Sequence, residues 1–164
     1  MIKKMLLIST VIMLTACDIY YKEVDAVRHS EHFKNEDRSK TLGGVDSNND
    51  GVRDDVENYI KSKYKDYPEY TDVFLKIAKT TRDEMISDST DIEFYREKSL
   101  IKSGNINCLF NLDRKYGTKI GSVGVMNVIG IHSNTRIRDE KTRKMSEMLS
   151  GMVFPIVDCE VKYE

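Results

Sequence analysis

From Val52 onward the chain repeats its apolar positions at intervals of three and four. Val52, Val56, Tyr59, Ile60 and Tyr64 fall on one face, as in a helix with one side buried. Pro68 suits the first turn of a second helix, where its missing N–H would be unpaired anyway. Tyr70, Val73, Phe74, Ile77, Ala78, Thr81 and Met85 continue the period and form the strongest periodic run in the chain. The cluster SDSTD at 87–91 predicts a turn and a helix cap. A third stripe reads Phe94, Ile101, Cys108, Leu109, Leu112 and Tyr116, with Gly104 weakening it and Gly117 ending it. Residues 120–131 are rich in Val, Ile and Gly, and 123, 125, 129 and 131 alternate like a strand. No second convincing strand exists to pair with them, and a lone strand is not stable, so a buried helix is the expectation. HSNT at 132–135 predicts a turn with a cap, and a last helix runs from about Arg136 to Leu149, before Gly151 and a coil tail containing Pro155. The pattern predicts an all-α bundle of about five helices.

The N-terminal third has a different pattern. Met1-Ile2-Lys3-Lys4 precedes an apolar run from Met5 to about Ala16. A basic start, a short apolar core and small residues before a break mark a secretory signal peptide, residues 1–16. The run is too short to span a bilayer, which takes about 20 residues. Residues 17–41 are polar and charged with no sustained apolar period. They predict a flexible tether, with a short helix around 23–33 as the alternative reading. Gly43-Gly44 follow, and residues 42–164 form the helical domain.

The break itself reads Leu14-Thr15-Ala16-Cys17. It resembles the lipobox of bacterial lipoproteins. The resemblance implies a diacylglycerol on the Cys17 thiol, cleavage before it, and acylation, often palmitate, of the new amine. Each buried methylene contributes about 0.8 kcal/mol, so one chain holds marginally while two or three hold firmly. An ordinary cleaved signal peptide with a chance cysteine is the competing reading. Asp18 resembles the inner-membrane retention signal of enteric lipoproteins, although the outer membrane stays open. Either membrane places the protein in the cell envelope, facing the periplasm.

Cysteine and charge counts refine this picture. With Cys17 lipidated, Cys108 and Cys159 are left as an even pair in an oxidising compartment. A disulfide between them is expected; two buried free thiols are the alternative. Removing residues 1–16 leaves 148 of 164, with 27 acidic and 24 basic side chains. That near balance gives no electrostatic reason to expect nucleic acid.

The densest chemistry lies in GGVDSNNDGVRDDVENYI, residues 43–60. Counting from Asp46 as position 1, Asn48 is 3, Asp50 is 5, Gly51 is 6, Val52 is 7, Asp54 is 9 and Glu57 is 12. This spacing satisfies D-x-[DN]-x-[DN]-G-x₅-E. Calcium takes six to eight hard oxygens at flexible angles. Asp46, Asn48, Asp50 and Glu57 would supply side-chain oxygens, Val52 its carbonyl, and Asp54 a water-mediated contact. The loop resembles an EF-hand loop, but departs from a paired one. Arg53 occupies position 8, where the bridging apolar residue would stand, two glycines replace the entering helix, and no second loop exists. It is closer to the single acidic loops of thrombospondin type-3 repeats, and similar to a group of bacterial lipoproteins in which GVRDD follows an Asp/Asn-rich turn. One structural calcium ion is the expectation. The competing reading is an Asx-rich turn capping a helix, with Asp54 and Asp55 suited to the helix dipole.

Other residues carry weaker signals. His29 and His32 flank Glu31 at helical spacing, but solvated side chains are expected there. His132 reads as a cap or surface residue, and RIRDEKTRK at 136–144 as a solvated face. Tyr59 and Tyr70 fit core stripes, leaving Tyr67, and Tyr64 less clearly, for a sugar or peptide surface. No nucleophile elbow, phosphate loop or paired-cysteine motif appears. The expectation is therefore a lipid-anchored envelope module without enzymatic activity, serving docking, accessory or immunity functions toward an envelope protein. A small hydrolase acting on envelope polymers, with structural calcium, is the alternative.

Overall fold

The structure, a computed structural model, describes residues 35–155 and 157–159. The signal peptide, Cys17, Asp18, His29 and His32 lie outside the described residues. Within them the chain is all-helical: α1 (Asp54–Lys63), α2 (Pro68–Ile86), α3 (Ile92–Tyr116), α4 (Ile120–Gly130), a 3₁₀ turn (Ile131–Ser133) and α5 (Arg136–Met148). No described helix is long and apolar enough to cross a membrane.

Local chemistry sets the boundaries. Pro68 opens α2 at its first position. Asp91 caps α3 by accepting from Glu93 N at 2.9 Å, and Gly117 closes it in the left-handed conformation, φ 64°. Helix α2 is the centre of the bundle and packs on α1, α3, α4 and α5. Its Tyr70, Phe74, Ile77 and Ala78 form one buried core with Val52, Val56, Tyr59, Ile60 and Tyr64 and with Leu109, Val125, Val128 and Ile131. The Tyr64 and Phe74 rings stack at 4.4 Å between centroids. Burial of each such large apolar side chain contributes about 1.5–3 kcal/mol.

Residues 120–130 are helical, and two glycines explain their composition. A Cβ on Gly121 would stand 2.7 Å from the Leu109 carbonyl oxygen, and one on Gly124 2.5 Å from the Phe74 ring and the Tyr64 hydroxyl. Helix α4 therefore lies against α3 and α2 at a distance that only glycine permits. Their lack of side chains blurs the helical period in the sequence.

The structure corrects the third stripe at both ends. Tyr95, not Phe94, is buried, because its hydroxyl reaches the Ser87 and Ser89 carbonyls of the turn before it. Tyr116, expected in the core, is 49% exposed, whereas Tyr64 is buried. Cys108 and Cys159 are joined by a disulfide with Cα atoms 4.7 Å apart. Asn107 Nδ2 donates to Val157 O at 3.1 Å, so the bridge and this bond hold the tail along α3.

Candidate functional site

The acidic loop enters α1 through a hydrogen-bonded knot. Asp46 carries one oxygen toward the turn: Oδ2 accepts from Gly51 N at 3.1 Å and pairs with Arg82 Nη1 at 3.3 Å. Its other oxygen, Oδ1, is buried without a hydrogen-bond partner, and the side chain is 6% exposed. Asn48 Oδ1 accepts from Asp50 N at 3.1 Å, and Asn48 Nδ2 donates to Asp50 Oδ2 at 2.9 Å. Asp50 Oδ1 accepts from Val52 N at 2.8 Å. That bond is the chief reason the Asp50 carboxyl lies below its ordinary range, with the Asn48, Glu57 and Lys61 side chains adding to it. Gly51 takes φ 90°, which provides the bend expected of it.

The sequence-derived ligands thus divide. Asp50 and Glu57 approach one another across the turn, and Glu57 also pairs with Lys61. Asp54 turns the other way: its carboxylate accepts from Ser47 N at 2.9 Å and Ser47 Oγ at 2.6 Å. Among the described residues no three His, Cys, Asp or Glu side chains gather as a metal-ligand group. Asn48, with its amide oxygen, and the Val52 carbonyl are donors outside that set of residue types.

Position 8 of the loop leads to a second cluster that sequence reasoning missed. Arg53 is 1% exposed. Its guanidinium pairs with Asp55, with Nη2 3.0 Å from Oδ2, and donates to Ile131 O at 3.0 Å and Asn134 Oδ1 at 3.2 Å. Arg138, from the stretch expected to be solvated, is fully buried. It donates to the same Asn134 oxygen at 2.7 Å, to Asp37 O at 2.7 Å and to Thr41 O at 3.1 Å. Asp37 N donates to Asp55 Oδ2 at 2.8 Å, and Val45 N to Asp37 Oδ2 at 2.8 Å. The segment expected to be a flexible tether up to residue 41 is therefore held on the body from Asp37. Burial works against ionisation of Asp37. Hydrogen bonds from Ser39 and Val45, together with Arg138, outweigh it and hold the carboxyl at about 2.

His132 is buried, not a surface cap. Its Nδ1 lies 2.8 Å from Val128 O, and Nε2 has no hydrogen-bond partner. Burial, then the Arg53 and other cationic fields, depress its pKa to about 3, so the ring is neutral. Two buried guanidiniums with two carboxylates and a shared amide form a positioning network. Such a network strongly penalises loss of one partner, because the other is left charged and dry. The one sequence cue was Arg53 itself, a charge at the loop position where an apolar residue would stand.

No family model matches this chain, and neither curated proteins nor solved structures give a match. The class defined on these residues is an all-helical, disulfide-closed bundle with an acidic loop at the start of its first helix.

Proposed function

We propose that this chain is a lipid-anchored protein of the bacterial cell envelope. Its helical domain faces the periplasm as a non-enzymatic docking, accessory or immunity-type module, stiffened by one structural calcium ion. The observation that carries the proposal is Leu14-Thr15-Ala16-Cys17 behind a short apolar run with a basic start. Two or three acyl chains on Cys17 would hold the protein at the membrane without a spanning helix. The Cys108–Cys159 bridge suits an oxidising compartment.

The donor chemistry of the loop fits a hard divalent cation. Asp46 offers a buried carboxylate oxygen with no hydrogen-bond partner, which is costly to keep unless something satisfies it. Asp46, Asn48, Asp50, Val52 through its carbonyl and Glu57 would hold calcium, while Asp54, bonded to Ser47, would brace the loop from outside the shell. The ion's two charges would offset much of the repulsion among these carboxylates and fix the chain where it enters α1.

Metabolic labelling with palmitate in a bacterial host tests the anchor. The wild-type protein should carry label and sediment with membranes, and Cys17→Ala should lose both. An unlabelled wild-type protein found free in the periplasm would refute the proposal. Crosslinking of the acylated protein in membranes should then capture a specific envelope partner.

A further inference from the structure

Between the start of α2 and the end of α3 lies an open cavity of about 580 Å³. Tyr67, Pro68 and Tyr116 line it, Tyr70 lies deepest, and Asp66 and Glu69 are at its mouth. The Tyr70 ring is fixed: its hydroxyl donates to Asp113 Oδ1 at 3.0 Å and lies 2.7 Å from Thr118 Oγ1. Tyr67 stands perpendicular to it at 6.1 Å, and Tyr116 lies tilted at 6.5 Å. Tyr116 is held in turn by donating to Glu69 Oε2 at 2.5 Å. Two nearly half-exposed rings, Tyr67 and Tyr116, and the Asp66 and Glu69 carboxylates border one volume, with the buried Tyr70 closing its floor.

The rim already holds a cation. Lys115 Nζ lies 4.6 Å from the Tyr116 ring centroid and 3.4 Å from Glu69 Oε1. Both partners of that ion pair are more than half exposed, and such pairs are weak. A second ammonium could therefore displace Lys115, gaining the same carboxylate and Tyr116 ring together with the exposed Tyr67. An anion is disfavoured. The start of α2 would attract one through its free N–H groups, but Pro68 removes a donor and Asp66 and Glu69 add two negative charges.

We infer that this cavity is an aromatic and acidic cage that receives a lysine side chain from a protein partner. The inference rests on the docking role proposed above and names the chemistry by which docking occurs. Exposed tyrosines supply rigid contact area at low entropic cost, and an ammonium over a ring face is attracted by its quadrupole. Tyr67 and Pro68 would contact the peptide on either side of the lysine.

Titration of the full acylated protein in detergent, followed by tyrosine ring NMR signals, tests the cage. The probes are acetyl-Gly-Lys-Gly-amide, its Nε-acetyl-lysine analogue, 1,4-diaminobutane and a neutral trisaccharide. The lysine peptide should bind roughly three- to tenfold more tightly than its acetylated analogue, a ratio in keeping with one cation–π contact and one carboxylate. Glu69→Gln and Tyr116→Ala should each weaken it several-fold, and Lys115→Ala should strengthen it by removing the built-in competitor. Equal binding of the acetylated peptide or the trisaccharide would overturn the cage. Tighter binding of the free diamine would overturn the assignment to a protein partner. Failure of the docking role is separable: the peptide would bind while membrane crosslinking captured nothing.

Discussion

Arg53, Asp55, Arg138 and Asp37 show how single residues set the behaviour of the structure with acid. His132 sits against this group, neutral because burial and nearby guanidiniums oppose its protonation, with a pKa near 3 in place of 6.5. The unfolded chain takes up that proton below pH 6.5 and the folded chain does not. The contribution of His132 to stability is therefore full above pH 6.5 and lost progressively as pH falls toward 3. Asp37 acts in the same direction at lower pH. Its carboxyl is held at about 2 against an ordinary 3.8, so its contribution disappears between about pH 4 and 2. Urea unfolding midpoints should fall steadily from pH 7 to pH 4. His132→Leu should flatten that slope, and an unchanged slope in the variant would show that another group carries it. None of these residues stood out by period. A buried arginine differs from a solvated one only in what the fold brings beside it.

At the scale of the element, α4 is the most constrained helix. Gly121 has backbone for its neighbour, the Leu109 carbonyl at 2.7 Å from a built Cβ, and backbone cannot rotate away as a side chain can. Gly121→Ala should therefore push α4 from α3 and cost about 1–3 kcal/mol, as overpacking in tight cores does. Thermal melts should show the loss, whereas helix propensity alone would predict a gain of up to about 1 kcal/mol for the same change. The sign of the shift decides between packing and propensity. Helices α1 and α2 need no such argument. Their apolar residues recur at threes and fours, and Val56, Tyr59, Ile60, Tyr70, Phe74 and Ile77 are all buried. Tyr116 and Phe94 mark the limit of that method: Tyr116 still touches Glu69 and Tyr70 of α2, but its ring stays about half exposed at the end of the bundle.

Over the whole molecule, one covalent tie, the Cys108–Cys159 disulfide, closes the described fold, and the proposed calcium ion would add an ionic one. The disulfide holds the tail to α3, and closing a loop of 51 positions removes roughly 4 kcal/mol of unfolded-state entropy. The proposed calcium ion would do the corresponding work at the start of α1. There, Arg53 already links the loop to the 3₁₀ turn and to Asn134, and Arg138 links Asn134 to residues 37–41. A metal that stiffens the loop should thus stiffen a large part of the bundle. Millimolar calcium should raise the melting midpoint, in keeping with affinities of about 10⁻⁴ to 10⁻³ M for extracellular modules, and Asp46→Asn should remove most of the shift. Equal midpoints with calcium and with chelator would remove the ion from the proposal.

What the sequence by itself determined was the helical class, most of the helix ends and the partner of Cys108. Periodicity, caps and parity are local or countable, and they survive in one dimension. The loop spacing was legible as a run of oxygen-bearing residues, whereas their directions were not: Asp54 turns to Ser47 while Asp50 and Glu57 approach one another. Only the tertiary structure decided that Arg53 and Arg138 share one asparagine oxygen, that Asp37 belongs to the body, and that Tyr116 stays out. Those outcomes depend on contacts between residues tens of positions apart, and charge or aromatic character alone does not say whether a partner will be there.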